Sequence, residues 1–251
     1  MLSEHIDGHV SSLRLERPER LNSFTAADYR DLRLALERAR ADVGVRVVVL
    51  TGAGRAFSSG ADRSLLDPAG GAAREGAAAE FDALLATLRS FEKPLLGAVN
   101  GLAVGVGCTL LLYCDLLLAA ASARFRLPFT ALGLVPEAGS SALLPARVRW
   151  DAAMWAMLSS EWFDADEARE MGLVWRVVPD ASLVDRTTTV ATTLAALDPG
   201  AVVATKRLLT AGRADVAQRA AEREMAAMRP LSGRPGGMAP TPPPDAPGPP
   251  P

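Results

Sequence analysis

The 251-residue chain is 49% hydrophobic and 22% charged, the profile of a globular protein with a sizeable core rather than a disordered chain. A formal net charge of -2 and a pI near 5.8 supply no basic footprint, which argues against a nucleic-acid partner. Two cysteines rule out a disulfide scaffold and point to a reducing, cytoplasmic setting, and the two histidines, His5 and His9, leave almost no material for a histidine metal site or a Ser-His mechanism.

The opening MLSEHIDGHV has no positive segment followed by an apolar one, so no signal peptide is expected. HVSSLRLE (9–16) alternates as a strand does, and RPERLNSF follows as a turn-rich loop. From Thr25, with Asp28 three residues on, a capped amphipathic helix is expected to about Arg40. VRVVVLT (45–51) has the continuous apolar character of a strand covered on both faces, and the loop TGAGRAFSSGAD comes after it. Residues 66–77, rich in Gly and Ala, read as mobile, with a helix at about 78–92. LLGAV (95–99) is a further buried strand, followed by NGLAVGVG and an apolar helix starting near Val106. The apolar run from Pro94 to Ala123 is long enough to cross a membrane, but a lipid-spanning helix would have to bury Asn100, Thr109 and Asp115, so a soluble core is the better reading.

DLLLA (115–119), ARFRL (123–127) and WRVVP (175–179) are expected strands, and helices are expected near 149–158 and 164–171, the second stopped by Gly172. Three more helices follow at about 182–196, 199–211 and 214–228. This alternation implies an α/β protein whose parallel or mixed sheet layers are covered by helices, with a helical C-terminal portion. From Pro230 the composition turns to proline and glycine, so residues 230–251 are expected to be a disordered Pro-rich tail or a ligand for a proline-reading module.

The glycine-rich loops do not fit the common phosphate motifs. GAGRAF (52–57) places Phe57 where the dinucleotide fingerprint needs its last glycine, and neither a Gly-Lys-Ser/Thr nor a Gly-x-Ser-x-Gly occurs. What remains is a pair of strand-loop-helix turns, VVVLTGAGRAFSSGAD and LLGAVNGLAVGVGCTLLL. Free N–H groups at such openings can stabilise a developing oxyanion, although the glycines taken alone are better explained as tight turns for close packing.

RPERLNSF, TGAGRAFSSGAD, AVNGLAVGVGCTLLLYCDLLLA and ADEAREMGLVWRVVP, in that order over residues 8–212, resemble the crotonase, or enoyl-CoA hydratase/isomerase, superfamily. The resemblance implies a crotonase-like spiral of repeated βαβ units over residues 1–195, a C-terminal helical trimerisation region over 196–229, and a homotrimer or dimer of trimers. It also implies an acyl-CoA thioester whose carbonyl is held by two backbone amides, here those of Ala61 and Val106, with no metal and no cofactor beyond the coenzyme A of the substrate. Glycine is common in the family at the latter place, and valine keeps the N–H. Carried over by motif, the substrate-binding candidates are Arg20, Ala56, Ser59, Gly60, Asp62 and Phe129, while Arg55 and Lys206 are weaker candidates for the phosphates by position and charge. Asp62 is better explained as the cap of a helix beginning at Arg63, Asp115 as structural, and the four tryptophans Trp150, Trp155, Trp162 and Trp175 as core or trimer packing.

Hydratases of this superfamily carry glutamates at two places that are Thr109 and Phe129 here, and neither residue can deliver a proton. Adding water across a double bond needs two acid-base groups, whereas moving a double bond from the 3- to the 2-position needs one. FRLPFTALGLVPEAGSS (125–141) is similar to the segment that carries the single base of peroxisomal-type Δ3,Δ2-enoyl-CoA isomerases, which makes Glu137 the expected base, desolvated by Leu132, Leu134 and Val135. Domains fused to chromodomains carry much the same segment, so a non-catalytic acyl-CoA-binding or scaffolding role is the alternative, beside hydration or another reaction of the superfamily.

Overall fold

The computed structural model describes residues 2–66 and 71–231. In chain order, β1 (Leu2–Asp7) and β2 (Val10–Leu15) form an antiparallel hairpin, followed by α1 (Ala26–Ala41), β3 (Val47–Gly52), β4 (Ala56–Ser58), α2 (Arg63–Leu66) and α3 (Gly71–Arg89). Next come β5 (Leu95–Val99), β6 (Leu102–Val104), α4 (Val106–Thr109) with a 3-10 turn over Leu110–Tyr113, β7 (Leu116–Ala120) and β8 (Arg124–Arg126). The remainder is α5 (Ser140–Leu143), α6 (Trp150–Ser159), β9 (Trp162–Asp164), α7 (Ala165–Met171), β10 (Arg176–Val178), α8 (Leu183–Ala195), α9 (Pro199–Leu209) and α10 (Arg213–Met228).

The strands divide into two sheets, β1-β2-β3-β5-β7-β10 and β4-β6-β8-β9. The pairs β3/β4, β5/β6 and β7/β8 each send one strand to the larger sheet and the next to the smaller, so the chain winds as a spiral. β2, β3, β5, β7 and β10 run parallel in the larger sheet. Parallel strands are covered on both faces, and β3 and β5 are buried along almost their whole length. One face packs Leu13, Leu50 and Leu95 with Leu32 and Leu36 of α1 and Leu84 of α3. The other packs Val47, Val49, Leu96 and Leu118 against Leu183, Ala191 and Ala195 of α8.

The start of α1 follows from its first turn: the Thr25 hydroxyl accepts from the Asp28 N–H and the Asp28 carboxylate accepts from the Thr25 N–H, a reciprocal cap. α7 has the same device in Asp164 and Glu167, and it ends at Gly172, whose φ of +98° a side chain would resist.

The structure corrects several expectations. The two turns expected to run from strand through loop to helix each contain a short strand, β4 or β6, too brief at three residues to show alternation in sequence. α3 begins at Gly71 rather than near 78, because alanine's helix propensity outweighs the two glycines within it, so residues 71–77 of the segment read as mobile are helical, while 67–70 lie outside the described residues. The helix opened by Val106 tightens after one turn into the 3-10 turn. Trp150, Trp155 and Trp175 are not core residues, being 68%, 66% and 43% exposed. The expected Pro-rich tail falls, from residue 232 on, outside the described residues.

Candidate active site

Two asparagines hold the first turn in shape. Asn22 donates to the carbonyls of Ala53 (2.9 Å) and Ala56 (2.8 Å), while Asn100 donates to those of Gly54 (2.8 Å) and Ala56 (3.1 Å) and accepts from the Gly52 N–H. Asn22 sits at a φ of +54°, which a short polar side chain tolerates. The loop carbonyls thus find partners where no regular ladder reaches them.

Beyond β4 the chain bridges to the residues before α1: the Phe24 N–H donates to the Gly60 carbonyl and the Asp62 N–H to the Phe24 carbonyl. Ala61, lying between these bonds, points its own N–H the other way. At the second turn Gly105, at φ +53°, opens α4, and its carbonyl takes the Cys108 and Thr109 amides. The Val106 N–H is at the first helical position, where a helix offers no acceptor. Among the described residues neither the Ala61 nor the Val106 N–H meets a protein acceptor. The two turns touch: a Cβ placed on Gly60, at φ +95°, would stand 2.7 Å from the Val104 carbonyl and 3.7 Å from the Val106 nitrogen. Glycine at 60 is therefore what lets the turn that carries Ala61 approach the one that carries Val106 this closely.

At the other end of the single turn of α4, the fully buried Thr109 donates its hydroxyl to Glu137 Oε1 at 2.7 Å. Glu137 itself is partly exposed, so a ligand can reach it, yet protein closely surrounds its carboxyl group. Desolvation pushes its pKa up to about 7, opposed by the Thr109 hydrogen bond and reinforced by the negative charge of Glu224. Burial raises the hydroxyl pKa of Tyr29 and Tyr113, and the charge of Glu137 adds to both. Glu224 is engaged by the loop itself: its two oxygens accept the Gly139 N–H at 2.7 Å and the Ser141 N–H at 2.8 Å.

The structure thus brings Gly60, Ala61, Val106, Thr109 and Glu137 into one chain of contacts. Arg20, Ala56 and Ser59 lie along the rim of the first turn: the Ser59 N–H donates to the Leu21 carbonyl, and Pro18 of the preceding turn packs against Gly54. Arg20 and Arg55 are exposed there and Ala56 is buried. Asp62 accepts from Ser23 Oγ and from the Ser64 N–H and hydroxyl; these bonds, the Ser64 amide first, hold its carboxyl below the usual range. Phe129 is buried in the main core. Lys206 is already engaged, donating to Asp115 Oδ2 at 2.6 Å and to the Lys93 carbonyl at 2.8 Å, and Asp115 also accepts from the Leu95 N–H. Sequence reasoning missed Asn22 and Asn100 as loop clamps, Thr109 as the partner of the base, and Glu224. Among the described residues no cluster of three His, Cys, Asp or Glu side chains is arranged to hold a metal, and no helix is long and apolar enough to cross a membrane.

Two adjacent main-chain donors and one desolvated carboxylate form a site suited to stabilising an enolate and moving a proton beside it. Comparison with known proteins agrees with that class. The chain belongs to the enoyl-CoA hydratase/isomerase family, the crotonase superfamily, whose sequence pattern matches residues 5–230. It is 40% identical over 185 residues to the 1,2-epoxyphenylacetyl-CoA isomerase of Escherichia coli (strain K12), covering 72% of this chain and 71% of that one. It is 39% identical over 209 residues to a probable enoyl-CoA hydratase of Rhodobacter capsulatus, covering 81% and 78%. The crystal structure of an enoyl-CoA hydratase/isomerase from Pseudoalteromonas atlantica T6c superposes with a TM-score of 0.85 at 37% identity, covering 92% of this chain and 91% of that one.

Proposed function

We propose that the protein is an enoyl-CoA isomerase that moves the double bond of a 3-enoyl-CoA to the 2-position, with Glu137 as its one acid-base group. The thioester carbonyl accepts from the Ala61 and Val106 amides. Glu137 takes a proton from C2, the charge spreads over a dienolate whose oxygen the two amides stabilise, and the same carboxyl returns the proton to C4. A carboxyl whose pKa is raised to about 7 is matched to both halves of that exchange near neutrality.

The observation that carries this reading is the pairing of Glu137 with Thr109. At the helix position where hydratases of the superfamily keep an acid, this chain has a buried hydroxyl that donates to the other carboxylate. Phe129 is apolar at the second such place, and both oxygens of Glu224 are occupied by loop amides. Hydration needs a further group to orient or deprotonate water. The relatives named as hydratases keep hydration as the alternative, and the name of the E. coli relative is that of an isomerase acting on a CoA ester.

In this reading Arg20, Ala56, Ser59 and Gly60 border the coenzyme A portion of the substrate, and no metal or separate cofactor takes part. The protein works in a reducing, cytoplasmic compartment, in keeping with the unpaired, buried Cys108 and Cys114. Assembly into a homotrimer or a dimer of trimers would cover the exposed apolar side chains of α6, Trp150, Met154, Trp155 and Leu158. The test is turnover of 3-enoyl and 2-enoyl thioesters of several lengths by the purified protein and by Glu137→Gln. Conjugated-thioester absorbance is expected to rise with 3-enoyl substrates and to fall by about 10²–10⁴-fold in rate in the variant. Tight binding with no rise in absorbance would favour a scaffold that only holds acyl-CoA.

A further inference from the structure

The segment carrying Glu137 is stabilised from the far end of the chain. Ala138 and Gly139 both lie in the left-handed region, at φ +62° and +72°, in a tight turn whose Ser140 N–H donates back to the Glu137 carbonyl while the Gly139 and Ser141 amides face α10. Glu224 of α10 sits in that turn, buried to 6% exposure, and takes the Gly139 and Ser141 amides, one on each oxygen. The α10 backbone closes over the same turn, since a Cβ on Gly139 would stand 2.6 Å from the Ala217 carbonyl. From the opposite side Tyr113 donates its hydroxyl to the Ala138 carbonyl at 2.6 Å.

We infer that Glu224 is a positioning residue for the reaction: by holding the 138–141 turn through two amides it fixes where the Glu137 carboxyl stands between Thr109 and the substrate carbons. This rests on Glu137 being the base. Alanine at a left-handed φ costs energy that a weakly held turn would release by rotating, and a shift of the base by 1 Å can cost about 10²-fold in rate. The site therefore depends on α10, although α10 contributes no atom to the chemistry.

Glu224 also acts through its charge. The groups facing Glu137 are Thr109, Tyr29 of α1, Tyr113 of the 3-10 turn and Glu224 of α10, with Arg89 of α3 bonded to Tyr113. Of these only Glu224 is a second carboxyl group, and its charge raises the proton affinity of Glu137. Removing its charge lets Glu137 lose its proton at a lower pH.

The experiment compares Glu224→Gln, Glu224→Asp and Glu137→Gln, with the Glu137 carboxyl titrated directly by carbon NMR of side-chain-labelled glutamate, its signal assigned by its loss in Glu137→Gln. Thermal melting establishes that each variant is folded. Glu224→Gln is expected to move the Glu137 midpoint to lower pH and to reduce kcat by about 10²-fold with KM little changed. Glu224→Asp keeps the charge on a shorter arm, so it should lower kcat while leaving the midpoint in place. In the Glu137→Gln background, Glu224→Gln should cost little more, because its effect passes through the base. An unmoved midpoint in folded Glu224→Gln, or additive losses in the double variant, would overturn the proposal. Absence of turnover in the unaltered protein would defeat the isomerase reading alone, and the titration would still decide whether Glu224 governs Glu137.

Discussion

Replacing Thr109 by valine tests the balance of forces on the base. Valine nearly matches threonine in shape, so the fully buried position stays filled while the hydroxyl that donates to Glu137 Oε1 at 2.7 Å is lost. A hydrogen bond to a charged group contributes about 1.5–3 kcal/mol, and about 1.4 kcal/mol corresponds to one pH unit of proton affinity. The carboxyl, already raised to about 7, should therefore rise by a further ~1–2 pH units. The base must be deprotonated at the start of the cycle, so the acidic limb of the kcat profile should move to higher pH. At pH 7 the deprotonated fraction would drop from about a half to roughly 1–10%, with much of the rate recovered at pH 9. The assay is the initial rate of 3-enoyl-CoA isomerisation across pH 5–10 for both proteins. A limb that stays in place or moves toward acid would refute the assignment of Thr109 as the donor that favours the charged base.

Three further outcomes are expected. The native Glu137 carboxyl keeps its proton to about pH 7 while the unfolded chain loses its proton near 4.5, so the native state binds more protons between those values and stability falls as pH rises through that window. The difference corresponds to about 3 kcal/mol, so Glu137→Gln should unfold at higher denaturant than the unaltered protein at pH 8 and at similar denaturant at pH 4. Gly60→Ala would set a methyl group 2.7 Å from the Val104 carbonyl at a φ of +95° and separate the two free donors. Its kcat should fall by about 10²-fold, and its melting temperature should fall with it. Lys206→Met removes the donor of the Lys93 carbonyl and the cation paired with Asp115, which keeps only the Leu95 N–H, so calorimetric unfolding should show a loss of about 1–3 kcal/mol, with CoA-ester affinity unchanged because the lysine is engaged in the fold.

Much of the architecture was legible because burial on both faces writes itself into composition. VVVL in β3 and LLGAV in β5 are almost wholly apolar for that reason, and the ends of α1 and α7 follow from local hydrogen bonds among Thr25, Asp28, Asp164 and Glu167. β1 was not legible, since as an edge strand it buries almost nothing and LSEHID carries no pattern that burial would impose. Trp150, Trp155 and Trp175, expected as core or trimer packing, are exposed on the single chain, which excludes only the core half of that expectation.

The site was legible in its local parts only. Ala61, Val106 and Glu137 each lie in a short motif that signals its turn. Thr109 read as a loss because a hydroxyl cannot replace an acid, and its use as a donor to Glu137 depends on a contact 28 residues away. Glu224 lies 85 residues from Gly139 in an otherwise ordinary amphipathic helix, where nothing local distinguishes a carboxylate that caps a distant turn from one in solvent.

The central claim, one carboxyl group moving one proton, is tested most directly by isotope transfer. A 3-enoyl-CoA carrying deuterium at C2 is turned over for a short time and the product analysed at C4. The single-carboxylate shuttle predicts that part of the deuterium removed from C2 appears at C4 of the 2-enoyl product, and that Glu137→Gln makes this product very slowly. Product formed at the full rate by Glu137→Gln, or hydrogen from solvent alone at C4 from the first turnovers, would contradict it.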